Sequence, residues 1–226
     1  MIPLLIFWLF KKIRRKQTPH YKQGKAILTI NKISLLFLFT IIFYAQVFAQ
    51  QRTVKYNIMH DGERKGSMIL TEEIKGNTKH VKIESEVKVR FILSFKIHSI
   101  EEAIFENGIL IYSSLSRKIN DDEKVGQRME LKGSVYKIIC KNDCDEVPTY
   151  PVYNSILSLY CSEPVTLNSV YSDNFRKYVT IENKGNNVYK VSLPNGNNNY
   201  YSYKEGICVK VDVQQSFYPI QFIITK

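Results

Sequence analysis

The chain has too little of several residue types for whole classes of chemistry to be built from it. Among 226 residues there are four histidines, four cysteines and one tryptophan. The sequence contains no Cys-x-x-Cys, no His-Glu-x-x-His, no Gly-x-Ser-x-Gly and no glycine-rich phosphate loop. The strings that seat a zinc ion, a nucleophilic serine or a nucleotide are therefore missing. His60, His80 and His98 stand apart on polar positions or at turns, where histidines serve as surface residues. Ser85 with Lys88, and Ser134 with Lys137, have the Ser-x-x-Lys spacing. That pair works on a helix, whereas on a strand positions three apart face opposite sides. The expectation is a non-enzymatic protein with no metal and no cofactor.

Acidic residues are absent from the first 49 positions, which hold eight basic ones: Lys11, Lys12, Arg14, Arg15, Lys16, Lys22, Lys25 and Lys32. With those eight removed from 32, 24 basic residues face 21 acidic ones, so +8 of the formal +11 sits in this segment and +3 in the rest. A nucleic-acid binder would cluster its excess on the folded part, so no nucleic-acid partner is expected.

No apolar run reaches the roughly 20 residues that span a bilayer. The longest, Ile33 to Tyr44, follows Lys25 and Lys32 and precedes Val47 and Ala49, small residues at the −3 and −1 places of a signal-peptidase site. Residues 26–49 thus read as a hydrophobic signal helix that meets the inner membrane during export. Cleavage before Gln50 would release the rest to the periplasm or outer envelope. The alternative is an inner-membrane anchor that leaves the folded part outside the cytoplasm. Residues 1–25 combine MIPLLIFWLF, too short to span, with the run KKIRRK. They read as a basic extension from a misassigned start.

With 44% hydrophobic and 12% aromatic residues, 15 tyrosines and only seven prolines, the chain as a whole has the composition of a folded, strand-rich protein. Period-two alternation dominates from Val54 onward. Its clearest run is Val81, Ile83, Val87, Val89, Phe91, Leu93, Phe95 and Ile97, set against mostly charged neighbours. One continuous strand there would be about 60 Å long at roughly 3.3 Å per residue, so it must divide near Leu93 to Phe95. Turn signals at Asp61-Gly62, Asn107-Gly108, Asn120-Asp121-Asp122, Lys132-Gly133, Gly185-Asn186, Asn195-Gly196 and Glu205-Gly206 mark hairpins. They delimit strands near 52–60, 66–74, 79–93, 95–106, 109–119, 123–131, 134–141, 175–183, 187–193, 199–204, 207–214 and 217–225. Between Pro151 and Pro164, residues Val152, Ile156, Leu157 and Tyr160 recur at helical spacing, which predicts one short helix over 152–160. Residues 50–226 are expected to form a single all-β domain, a curved antiparallel sheet or half-barrel of ten to twelve strands with that helix covering it.

Several segments resemble an uncharacterised family of small envelope proteins from Gram-negative bacteria, a domain of unknown function. They are Tyr56-Asn57-Ile58 before Asp61-Gly62, Phe105 to Leu110, Ile156 to Leu159 with Glu163-Pro164, Val170 to Asp173, and Tyr201 to Ile207. Where many members carry Glu after Ser, this chain has Asp173. The family is similar in turn to lipoprotein-localisation factors, in which a half-barrel wraps a helix over an apolar concavity. The resemblance implies an exported envelope module and brings no catalytic residue.

Two functions fit these observations: a binding or structural envelope module, with a lipid or an envelope protein as partner, and a carrier of a lipid or other apolar ligand. Phe91, Ile156 and Tyr160 are the candidate ligand-binding residues, from the apolar stripe and the covering helix. Asp143, Asp145 and Glu146 lack the spacing and glycine of a calcium loop. Cys140 and Cys144 are the nearest pair for a disulfide, with two free, partly buried thiols as the other reading.

Overall fold

A computed structural model describes residues 50–90, 94–140, 148–214 and 218–225. The basic extension, the predicted signal helix, Phe91, Cys144 and the acidic loop around it lie outside the described residues. Thirteen strands follow in order: β1 (Gln50–His60), β2 (Glu63–Lys75), β3 (Thr78–Arg90), β4 (Ser94–Glu106), β5 (Ile109–Ile119), β6 (Asp122–Lys132), β7 (Val135–Cys140), β8 (Ser169–Ser172), β9 (Lys177–Asn183), β10 (Val188–Ser192), β11 (Asn198–Lys204), β12 (Ile207–Gln214) and β13 (Ile220–Ile224). A four-residue helix, α1 (Ser158–Cys161), lies between β7 and β8.

Alternating side chains and two-residue turns dictate this meander. Asn107 and Gly108 have φ of 50° and 80°, and Glu205 and Gly206 have 52° and 75°. Two successive positive φ values give the turn twist that matches the twist of the flanking strands, which is why Asn-Gly and its relatives sit there. The long apolar stripe divides as its length requires, with β3 ending at Arg90 and β4 starting at Ser94. Val87 faces Ile97 and Val89 faces Phe95 in the antiparallel register, so the stripe folds back on one face. At Gly66 of β2 the backbone of β3 comes so close that an added Cβ would fall onto the Glu86 carbonyl.

The strands form one antiparallel sheet in the order β7-β6-β5-β4-β3-β2-β1-β13-β12-β11-β10-β9-β8. Every neighbour is a hairpin partner except at the centre, where β1 pairs with β13, Tyr56 opposite Ile224. The end strands β7 and β8 do not pair, so the sheet stays open. It nevertheless wraps around one core: Tyr136 of β7 and Tyr171 of β8 belong to the same buried cluster as Ile58, Leu70, Val81, Val191 and Val211.

Residues 152–161, between β7 and β8, pack into the concave side of the sheet. Val152, Ser155, Leu157, Ser158, Leu159, Tyr160 and Cys161 are all buried. The helix expected over 152–160 is reduced to Ser158–Cys161, for a reason visible in the hydrogen bonds. The Leu110 amide donates to the Val152 carbonyl at 2.8 Å, and the Ile156 amide donates to the Tyr171 carbonyl at 2.9 Å. The Val152 amide donates to the Tyr136 hydroxyl at 3.1 Å. Groups that a helix would pair internally are thus taken by the barrel wall. The chain from Val152 to Leu157 is irregular, with Ser155 bridging Tyr171 in parallel. β8 is an added strand that the sequence pattern did not mark.

Tyrosines anchor this plug. The Tyr203 hydroxyl donates to the Leu159 carbonyl at 2.6 Å. Tyr160 meets Tyr56 and Tyr201 edge-on, with ring centroids 6.0 and 5.6 Å away. Such contacts contribute about 0.5–1.5 kcal/mol each beyond the area they bury. At one end of the plug Arg52 donates to the Cys161 carbonyl at 2.9 Å and pairs with Glu72 at 2.9 Å, while Lys79 reaches the other Glu72 oxygen at 2.8 Å. Burial opposes the charge on Glu72, but Lys79 and Arg52 together hold its carboxyl below the ordinary value.

Candidate functional site

The plug does not fill the space that the open sheet wraps. A cavity of about 380 Å³ remains, lined by β2 to β5 on one side, the β10–β11 turn and β11 to β13 on the other, and Ser172 to Phe175. Its apolar wall comes from alternate positions of β3 and β4: Ile83, Val87 and Val89, facing Ile97. Ile156, Leu157 and Tyr160 form the part of the wall that belongs to the plug. Of the three residues expected to bind a ligand, Ile156 and Tyr160 therefore line one cavity, and Phe91 lies outside the described residues.

The sequence reading missed the charged end of this cavity. Along β4 the inward phase runs Ile97, Ser99, Glu101, Ala103, Phe105, with Ser99, Ala103 and Phe105 buried. Glu101 therefore shares the inward phase, which the alternation alone could have revealed by extending the apolar stripe four residues past Ile97. The Glu101 side chain is partly buried and lines the cavity. Its partner is Arg117 of β5, with Nη2 3.8 Å from Oε1. Burial pushes the Glu101 carboxyl above its ordinary value, and Arg117 offsets only part of that rise.

A second carboxylate stands beside it. Asp173, just past β8, is buried and accepts a hydrogen bond from the Ser113 hydroxyl. Gln127 Nε2 donates to the Asp173 backbone carbonyl at 2.6 Å and fixes the turn. Burial pushes the Asp173 carboxyl up to about 6, and the Glu101 charge adds to the rise against the pull of Ser113. Ser172, 1% exposed, lines the same cavity, and its hydroxyl has no hydrogen-bond partner among the described residues. Asp173 is thus part of the cavity wall.

The other candidates do not converge. His60 stacks on Tyr218 and meets Asp61 at 3.3 Å, while His98 meets Glu84 at 3.2 Å on the outside of the sheet. Among the described residues no group of His, Cys, Asp and Glu is placed to hold a metal, and no helix is long and apolar enough to cross a membrane. Cys140 is disulfide-bonded, and Cys161 and Cys208 are free and buried. Burial pushes both free thiols up to about 12.

The chain belongs to a family described only as a domain of unknown function (DUF6134), whose profile matches residues 56–225. No curated protein matches it. Among solved structures it is similar to a β-barrel-like protein of another domain of unknown function (DUF1849) from Brucella abortus. The identity is 8%, the match covers 79% of this chain and 97% of that one, and the TM-score is 0.48.

Proposed function

We propose that the domain is a non-enzymatic carrier of the cell envelope, exported by its leader, that holds one amphipathic molecule inside the barrel. The observation that carries this reading is the cavity between plug and wall. At about 380 Å³ it falls within the range of small-molecule sites, roughly 300–1,000 Å³, and it joins an apolar wall to a few convergent polar groups. A purely structural module would be expected to close its core, because interiors pack to the density of organic crystals and empty apolar volume lowers stability. An enzyme reading has little to stand on. Asp173 and Glu101 are carboxylates, but among the described residues no histidine, cysteine or lysine lines the cavity with them.

Native mass spectrometry of protein purified from its own envelope tests the proposal. A retained small-molecule mass that is lost on unfolding is the expected result. A clean apo mass, together with no uptake of chain-matched amphiphiles by the purified domain, would leave a structural module instead.

A further inference from the structure

The cavity's charges do not balance, and the imbalance says what kind of head group suits it. Glu101 and Asp173 line the wall, and among the described residues Arg117 is the one Lys or Arg that lines it with them. Arg117 is committed to Glu101 at 3.8 Å. Asp173 is held by the Ser113 hydroxyl, which supplies a hydrogen bond but no charge. Arg176, three residues further on, reaches Cys140 of β7, its Nη1 3.9 Å from Sγ. With both carboxylates ionised, these side chains carry one negative charge more than positive. Ser172 adds a buried hydroxyl without a partner at the same wall. Residues that only had to fill a barrel would be apolar here, as they are at Ala103 and Phe105 on the same strand face.

We infer that the molecule carried in this cavity bears a cationic amine head group, seated between Asp173 and Glu101, with its apolar chain along Ile83, Val87 and Ile97. This rests on the carrier reading. A protonated amine can donate to the Asp173 carboxylate and bring the site to neutrality, whereas a fatty carboxylate would be a third anion beside two others. An uncharged alcohol makes no charge pair and stands between them. Selectivity among the three comes from electrostatics, since their chains fill the same volume.

The test compares dodecylamine, dodecanol and dodecanoate by isothermal titration calorimetry at pH 7.5, below the concentration at which each aggregates, on the folded wild-type protein. The amine should bind about tenfold or more tighter than the alcohol, and the carboxylate weaker than the alcohol. Asp173→Asn and Glu101→Gln, each checked for an unchanged circular dichroism spectrum, should lower amine affinity while leaving the alcohol unaffected. Equal binding of all three, or tightest binding of the carboxylate, overturns the head-group inference and leaves the carrier reading standing. Failure of all three to bind overturns both. The wild-type comparison decides even if neither variant folds.

Discussion

Val152 and Tyr136 are joined by a buried hydrogen bond between remote segments: the Val152 amide donates to the Tyr136 hydroxyl at 3.1 Å. The same hydroxyl donates to the Leu110 carbonyl at 2.9 Å, so one phenol links β5, β7 and the start of the plug. Tyr136→Phe keeps the ring and removes both bonds, leaving a buried amide and a buried carbonyl each short of a partner. We expect a loss of about 1–3 kcal/mol, read as a lower urea midpoint at unchanged slope. A loss under ~0.5 kcal/mol would show that the plug is held by packing alone.

The cavity separates two kinds of apolar position on one strand. Val81 is fully buried against the core, whereas Val87 lines the cavity and is half-buried. Val81→Asp should abolish folding, since an unpaired buried carboxylate costs several kcal/mol against a total margin of about 5–15. Val87→Asp should cost clearly less, and Glu86→Lys, which breaks only an exposed pair with Lys96 at 3.3 Å, less than about 1 kcal/mol. Equal losses at the three positions, measured by thermal unfolding, would contradict the assigned faces.

Within the plug the same contrast holds between Leu159, 1% exposed, and Ile156, which faces the cavity. Leu159→Ala should cost about 2–5 kcal/mol. Ile156→Ala should cost less and should change the uptake of a fluorescent amphiphile. Similar costs and unchanged uptake would mean that Ile156 is ordinary core.

Asp173 makes stability depend on pH in a direction opposite to that of a salt-bridged carboxylate. Its folded pKa of about 6 lies above the ordinary 3.8, so the folded state holds the proton more tightly than the unfolded chain. Stability from this group is complete below about pH 4, falls as the pH rises toward 6 and is flat above. Asp173→Asn keeps an acceptor for Ser113 and removes the charge. It should therefore raise stability at pH 7 by up to about 3 kcal/mol and have little effect at pH 4. Denaturant titrations at the two pH values check this, and an equal effect at both would refute it.

Cys161 and Cys208, with thiols pushed up to about 12 and buried, should resist iodoacetamide at pH 8 in the native protein and react fully in urea. Rapid native labelling would mean that the plug opens readily.

The sheet was legible because period-two alternation and turn dipeptides are local signals. Asn107-Gly108 and Glu205-Gly206 carry their own turn geometry, and the stripe from Val81 to Ile97 announced a hairpin through its length. The helix was over-read because Val152 and Ile156 have helical spacing while their backbone groups are bound by Leu110, Tyr136 and Tyr171, partners remote in sequence. The site was half legible. Ile156 and Tyr160 are apolar and periodic, whereas Glu101 and Asp173 look like any surface acids until the phase of β4 and the fold of the turn after β8 bring them inside.

The pairing of β1 with β13 has a consequence for how the protein can be made. Thr225 bonds to the Lys55 carbonyl across 170 residues, yet this joint lies at the middle of the sheet rather than at its border. A chain leaving the ribosome can zip each meander from neighbouring hairpins, but the two halves have nothing to unite them at this seam until the last strand emerges. Until then β1 presents a bare edge, the kind that recruits other nascent chains. Clipping the final few residues would not trim a tail. It would part the sheet along its midline, leaving two sticky borders where the native protein has none.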